Sequence, residues 1–566
     1  MPVLNRIPAQ REAALSLAEV SFRIQRFLFL ARSCGLERRH MIRGFWKAAV
    51  DEPGRIAVID ADGSEIRAGA LLTAANQLVH GLRSKGITQG DCIAIMLPNS
   101  AAVLEVMVAV MQAGWHIVPV NTHSTADEIA YILQDSSAKA FITHPHYADS
   151  AVHAIKTLEQ QQHRALKPEC CFAIGNISGF QDYRTFLQQQ PDTLPEARIA
   201  GHFMQYTSGT TGKPKGIQRQ IYPVEPEIMA DYMSSNLSRF GITPGRHVFL
   251  CPSPMYHAAP LGFNYFSLQY EHKVVIIDKW DAEEVLRLIE KYKVTTMLMV
   301  PTHFHRLLQL PEDVRKKYDV SSLQKVLHAA APCPRETKEK MLAWFGKVIY
   351  EYYGATEGGG TLATPEDWLR FPGTVGKAWE GAEIRIYEDV ADGVDKQQAR
   401  QLGPNQIGVV YIKLTQDFNY KGDSEKTRNN RIGNFYTPGD VGYLNEEGFL
   451  FLCDRKIDMI ISGGVNIYPA EIEAILQNHP QVADVAVFGI PNKDFGEEVK
   501  AVVELKPGVQ GNPGIAKQLM DYCTEKLSRY KCPRTIDFSE ALPRDPNGKL
   551  YKRKLRDPYW KDVVKI

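Results

Sequence analysis

Residues 206 to 216 read YTSGTTGKPKG. After Tyr206 nothing in this stretch can pack a core. Thr207, Ser208, Thr210 and Thr211 carry hydroxyls, Gly209 and Gly212 leave backbone N–H groups bare at little steric cost, and Lys213 and Lys215 set ammonium groups around Pro214. A run built of donors is made to meet an anion, and phosphate is the anion it fits best. It is not the common P-loop: only two residues separate Gly209 from Gly212, and Pro214 stands where that loop needs its magnesium-binding hydroxyl. No G-x-G-x-x-G follows a strand and no G-x-S-x-G elbow is present, which removes the nicotinamide and serine-hydrolase readings.

Five more polar stretches follow at wide spacing. PMYHAAP (254–260) holds His257, and IYEYYGATEGGG (349–360) sets Tyr353, Gly354, Thr356 and Glu357 among glycines. NFYTPGDVG (434–442) places Asp440 in a turn. CDRKIDMIISGGVNIYPAEIE (453–473) carries Arg455, then Ser462, Gly463 and Gly464; LPRDPNGKLYKRKLR (542–556) presents Lys549 after a Pro-Asn-Gly turn. Taken singly, each has a plain structural reading: an Asx turn at Asp440, a solvated carboxylate at Glu357, a basic tail at Lys549, a half-buried His257, a bend at the glycine pair. Together they fit a nucleoside triphosphate. The Thr/Gly/Lys run supplies phosphate donors, Glu357 a hard oxygen ligand for Mg²⁺, Asp440 a partner for ribose hydroxyls, and Tyr353 a face for adenine. Lys549 and Arg455 are cations for the place where negative charge builds.

The elements that must hold these residues alternate from residue 55 onward. CIAIML (92–97) and HIVPVN (116–121) read as buried strands, with SAAVLEVMVAVMQAG between them a helix that ends on Gly114. KAFITH, HVFLCPSP, KVVIID and TTMLMVP repeat the pattern, the signature of strands covered by crossover helices with functional loops at their ends. The pattern breaks at the polar stretch 388–408 and changes character near Asp454. Beyond it, PAEIEAILQNHP, VADVAVFGI, AVVELKP and IAKQLMDYCTEKL make a compact α+β unit. The expected organisation is therefore an N-terminal extension (1–48), a large multi-subdomain α/β domain (49–453) and a small α+β domain (454–566).

Composition narrows the partners. Lys plus Arg number 66 against 65 Asp plus Glu, a formal net charge of +1, so no basic excess invites nucleic acid. Nine cysteines occur without a C-x-x-C pair, which argues against a disulfide scaffold or zinc site and for a reducing, cytoplasmic compartment. No apolar run is long enough to span a bilayer, no signal-peptide cleavage pattern opens the chain, and its last residues are not a peroxisomal address. Residues 15–46 mix Phe22, Phe27, Leu28, Phe29 and Leu30 with arginines, a basic amphipathic helix that either lies on a membrane surface or packs on its own domain.

From about residue 50 to 556, these motifs in this order resemble the acyl-adenylate-forming enzymes, the superfamily of acyl-CoA synthetases, nonribosomal adenylation domains and beetle luciferases. The resemblance implies two half-reactions. A carboxylate attacks the α-phosphorus of MgATP to give acyl-AMP and pyrophosphate, and a thiol, usually that of coenzyme A, then displaces AMP. It assigns Thr207 to Lys213 to the phosphate loop, Tyr353 and Gly354 to one face of adenine, and the backbone of Ala330, Ala331 and Pro332 to the other. Thr356 meets the α-phosphate, Glu357 holds Mg²⁺, Asp440 takes the ribose with help from Arg455, and Lys549 bridges carboxylate and α-phosphate. His257 borders the acyl carboxylate.

The small domain is expected to be mobile, withdrawing Lys549 and bringing Ser462, Gly463 and Gly464 to the thiol. Three positions depart from the family pattern. Ile457 stands where Asp or Lys usually marks the hinge, Asp545 where Thr is common, and residues 377–380 where prolines occur. Only about 17 residues follow Lys549, too few for a carrier domain, which favours a free-standing CoA ligase. The alternatives are an acyl-AMP ligase that serves a carrier protein or other acceptor, and an inactive acyl- or nucleotide-binding relative. The acyl pocket is expected along 257–264, 300–305 and 353–360. There Gly358, Gly359 and Gly360 leave room and histidines are the only basic residues, so the acid is expected to be medium- or long-chain, or bulky and alicyclic like a steroid side chain. Oligomeric state, monomer or dimer, stays open.

Overall fold

The computed structural model describes residues 43–161, 166–207, 214–354, 358–390, 396–413, 419–420, 430–455, 458–463, 465–544 and 550–561. Two large sheets dominate residues 56–378. Six strands of one, Gln181–Asp182, Cys171–Ala173, Ala140–Thr143, Cys92–Met96, His116–Pro119 and His202–Phe203, are all parallel. The other has nine strands. Its parallel centre runs Ile349–Gly354, Lys325–His328, Thr296–Met299, Val248–Leu250, Lys273–Val275 and Ile56–Ile59. Parallel strands need both faces covered, and these read as short unbroken apolar runs for that reason.

The helix predicted between the first two strands spans Ala101–Ala113, with every residue buried. It stops at Gly114, whose φ of 74° gives the left-handed cap that a side chain resists. Its one acidic side chain, Glu105, is paired with Arg184 at 2.7 Å. Helix Gly44–Asp51 carries Phe45 and Trp46 at 0% and 2% exposure. The last residues of the expected amphipathic segment are thus core of the main body; residues 1–42 lie outside those described. Among the described residues no helix is long and apolar enough to cross a membrane.

An antiparallel six-stranded sheet follows. The polar stretch at 388–408 joins two of its neighbours, Ile384–Tyr387 and Gly408–Lys413, which pair Tyr387 with Val409. The chain leaves this sheet at the end of strand Leu450–Arg455, two residues beyond the expected boundary, and enters the last sheet at Ile460–Ser462. That sheet carries the long hairpin Val482–Asn492 and Gly496–Leu505, with Thr535–Ser539 parallel to the second arm. Helices Pro469–Leu476 and Pro513–Thr524 close a core of its own around Ile460, Leu476, Val485, Val503, Leu519 and Ile536. Pro469 sits at the first helical position, where its missing N–H costs nothing.

Candidate active site

The parallel centre of the nine-stranded sheet carries His257, Ala330, Ala331, Pro332, Tyr353 and Gly354 at or after its carboxyl ends, where open α/β sheets take ligands. Strand Val248–Leu250 leads to His257, which opens helix Ala258–Gln269. Strand Lys325–His328 leads to Ala330, Ala331 and Pro332, and its neighbour Ile349–Gly354 ends on Tyr353 and Gly354. The two are in parallel register, His328 against Glu351, so the Ala-Ala-Pro turn and the Tyr353 ring stand at adjacent strand ends. Ala330 has φ of 75°, a conformation that an alanine adopts only under constraint, and both Ala330 and Pro332 are exposed. Strain of this kind at a strand end is a mark of a binding site.

Asp440 is not a turn residue. It opens strand Asp440–Leu444, is 8% exposed, and lies directly opposite Arg455 in the antiparallel pair. The turn ends one residue earlier, at Gly439 with φ of 89°. The Tyr353 hydroxyl donates to Asp440 Oδ2 at 2.6 Å, and Arg455 Nε stands 3.6 Å from Oδ1. Burial, and then the Asp440 charge, holds the Tyr353 phenol well above its ordinary range, so it remains a donor. Three residues from three separate motifs are thereby joined into one unit. Replacing Asp440 by Ala is expected to raise the KM for ATP roughly ten-fold or more, the worth of a hydrogen bond to a charged group, with a smaller effect on the KM for the acid. Steady-state kinetics at varied ATP checks this; equal rises for both substrates would refute a ribose role.

The phosphate run is held at its stem. Strand Gln205–Thr207 pairs with Lys215–Gln218, Thr207 opposite Lys215. Tyr206 donates to Asp135 at 2.6 Å and Tyr131 to the Pro214 carbonyl at 3.1 Å, so both arms are tied to helix Ala126–Ser136. Ser208, Gly209, Thr210, Thr211, Gly212 and Lys213 lie outside the described residues, as do Thr356, Glu357, Gly464 and Lys549. Ser462 and Gly463 belong to the hairpin Ile460–Ile467, where the Gly463 N–H donates to the Phe495 carbonyl at 2.8 Å.

Gly359 and Gly360 do not make room. A methyl on Gly360 would stand 2.2 Å from the Tyr353 carbonyl and 2.5 Å from the Trp379 ring, and one on Gly359 2.4 Å from Ile412. Gly359 and Gly360 let strand Gly360–Ala363 fold back tightly on Ile349–Gly354 beneath Trp379. Gly358 alone is open, its carbonyl accepting from the Tyr436 hydroxyl at 2.5 Å.

The histidines of the expected pocket stretches also have other work. His303 is stacked on Trp280 at 3.9 Å and 4°, and burial pushes it down to about 3, so it is a neutral core group. His305 meets the Ala483 carbonyl of the C-terminal sheet at 3.1 Å. Two arginines from segments the sequence did not single out lie near the Gly358–Gly360 stretch and the Trp379 ring that packs on it. Arg219 Nη2 lies 3.9 Å from where a Gly358 methyl would be, and Arg239 sits 5.4 Å over the Trp379 ring.

Along the helix that His257 opens, the interior is aromatic. Tyr352 packs against Phe240 at 5.4 Å and Phe263 at 5.9 Å, and Phe263 against Phe266 at 6.3 Å. On the strand that ends in Tyr353 lies a buried ion pair that no motif announces: Lys338 Nζ is 2.6 Å from Glu351 Oε2, with His328 Nε2 at 3.5 Å. Burial pushes Glu351 up, against the pull of the ammonium, and drives His328 well below its ordinary value, so that imidazole is neutral. Among the described residues no cluster of metal-ligating side chains occurs.

Residues 45–417 match the family described as AMP-binding enzyme, and residues 471–549 match the AMP-binding enzyme C-terminal domain. The chain is 32% identical to the long-chain-fatty-acid–CoA ligase FadD13 of Mycobacterium tuberculosis, over 87% of this chain and 92% of that one. It is 28% identical to the fatty acid–acyl-carrier-protein ligase ScoC of Streptomyces coeruleorubidus, over 91% and 96%. Among solved structures it superposes on ATP-bound MatB from Rhodopseudomonas palustris with a TM-score of 0.75 and 26% identity, covering 92% of this chain and 100% of that one. The large α/β domain followed by a smaller α+β domain is the architecture of that family.

Proposed function

Because the chain belongs to the AMP-binding enzyme family, whose members adenylate a carboxylic acid and pass it to a thiol, we propose that it is an AMP-forming acid–CoA ligase for an apolar acid. The acid is a medium- or long-chain fatty acid or a bulky alicyclic one such as a steroid side chain. The observation that carries the substrate class is the aromatic interior of Phe240, Phe263, Phe266 and Tyr352, into which the helix opened by His257 runs. Glycine room at 359 and 360 does not support it, and Arg219 near Gly358 and Arg239 over the Trp379 ring are cations close to that stretch, so a diacid is an arm of the test. Likeness to FadD13 favours coenzyme A, and likeness to ScoC keeps a carrier protein as the rival acceptor.

On this reading Tyr353 and the Ala330–Pro332 backbone take the adenine between adjacent strand ends, while Asp440 with Arg455 takes the ribose. The phosphate run, braced through Tyr206 and Tyr131, holds the β- and γ-phosphates. Glu357 supplies a hard oxygen for Mg²⁺, which neutralises phosphate charge when bound. Carboxylate and triphosphate repel one another, so the protein's main task is to place positive charge between them, not to supply a nucleophile. Lys549 does this in the first half-reaction, with Thr356 at the α-phosphate and His257 beside the acyl carboxylate. Ser462, Gly463 and Gly464 form the face offered to the thiol in the second.

The test is mass spectrometry of products from purified protein, MgATP, coenzyme A and acids running from acetate through fatty acids, diacids and aromatic acids to steroid acids. AMP with an acyl-CoA is the expected result, fastest with an apolar monoacid. Acyl-AMP without thioester would point to a carrier protein, a preference for diacids would assign Arg219 or Arg239 to substrate, and no AMP from any acid would leave the inactive relative.

A further inference from the structure

Residues 545–549 lie outside the described residues, but the chain on both sides of them is held with unusual firmness. Arg544 and Leu550 form a β-bridge, and the Tyr551 N–H donates to the Pro543 carbonyl at 2.8 Å. On the upstream side the Arg544 guanidinium grips the Asp484 carboxylate with two nitrogens, Nη2 to Oδ1 at 2.7 Å. On the downstream side Lys552 Nζ lies 2.9 Å from Glu473 Oε1, with the two side chains 11% and 18% exposed. That same Glu473 oxygen accepts the Val487 N–H at 2.7 Å, so the carboxylate is itself fixed.

The Lys552 ammonium also feels Asp454 and Asp458. Asp454 accepts the Ala470 N–H at 2.8 Å, capping from a distance the helix Pro469–Leu476, whose own cap position, Tyr468, contributes no side chain. One turn beyond Lys552, Arg556 lies 3.8 Å from Asp458. Helix Lys552–Trp560 thus directs one cation to Glu473 and a second to Asp458, one residue beyond Ile457, the position where the family pattern usually marks the hinge. Arg455, next to Asp454, faces Asp440 of the proposed ribose site.

A nearly buried ammonium held this way gains little net stability over an apolar pair of the same shape, because desolvation offsets most of the attraction; what it fixes is direction. We infer that Lys552, held by Glu473, is a positioning residue for the adenylation half-reaction, fixing the chain three residues beyond Lys549. The inference rests on the ligase reading above.

The experiment separates the half-reactions in Lys552→Met, Lys552→Arg, Glu473→Gln and the parent protein. Acid-dependent ATP–pyrophosphate exchange reports adenylation, and thioester formation from supplied acyl-AMP and coenzyme A reports the second step. Misplacing a catalytic group by about an ångström costs roughly 100-fold, so exchange should fall roughly 10- to 100-fold in kcat in Lys552→Met and Glu473→Gln, with the KM for ATP little changed. Thioester formation should stay within about three-fold, which also shows that the variants fold, and Lys552→Arg should recover most of the exchange. Equal losses in both half-reactions, or a rise in KM alone, would overturn the role of Lys552 and leave the ligase reading standing. No exchange in the parent with any acid would overturn the ligase reading and this inference with it.

Discussion

Lys549→Ala is expected to lower the kcat of acyl-AMP formation by roughly 100- to 1,000-fold, the cost of removing one preorganised charge or donor aimed at a developing anion. The effect is electrostatic. An anionic carboxylate must approach a triphosphate, and negative charge concentrates on the oxygens between them as the new bond forms. A compact ammonium on a flexible stem is suited to that spot, and alanine leaves nothing in its place. Ground-state binding should survive, because adenine, ribose and the outer phosphates are assigned to Tyr353, Asp440 and the run 207–213. Calorimetric ATP affinity is therefore expected within about three-fold of the parent, and thioester formation from supplied acyl-AMP should persist. A Lys549→Ala protein that keeps its exchange activity would show that the resemblance had carried the role to the wrong residue.

How much of this was legible in the sequence differs by scale. The parallel strands and the helix ending at Gly114 could be read because short unbroken apolar runs and a left-handed cap leave local traces. Tyr353 and Asp440 could each be singled out from their motifs, yet their hydrogen bond could not, since it joins the ends of two different sheets. The Asp440 turn was misread by one residue: Pro438 and Gly439 make the turn, and the carboxylate rides on the strand after it. The error at 358–360 is of another kind. Glycine records only that a side chain is missing, and either a ligand or a neighbouring backbone can require that; at Gly360 it is the Tyr353 carbonyl and Trp379. The placing of Arg219 near Gly358 and of Arg239 over the Trp379 ring left no trace in the sequence, because no local pattern marks which side chain comes near from elsewhere in the chain.

Least legible of all was the Lys338–Glu351 pair, which carries the second large prediction. Lys338 is one charged residue on helix Arg335–Phe345, and nothing in RETKEKMLAWF distinguishes it from Lys340, which is solvated. In the fold its side chain is fully buried, its ammonium 2.6 Å from Glu351 and 5.0 Å from the Trp368 ring. Glu351 and Tyr353 lie on the same face of one strand, two residues apart, so the pair anchors the strand that presents the aromatic ring. Lys338→Ala or Glu351→Ala alone should cost about 3–5 kcal/mol in denaturant unfolding of the large domain, because each strands a charge in a dry interior. The double change Lys338→Met with Glu351→Leu should recover most of that, since two apolar side chains of similar volume owe no desolvation. If the double variant is as unstable as the singles, packing around Trp368 is the cause and the ion pair is incidental. A double variant that regains stability but shows a raised KM for ATP would mean that the pair also aims Tyr353, because only the direction of the strand end, and not its burial, would then have been lost.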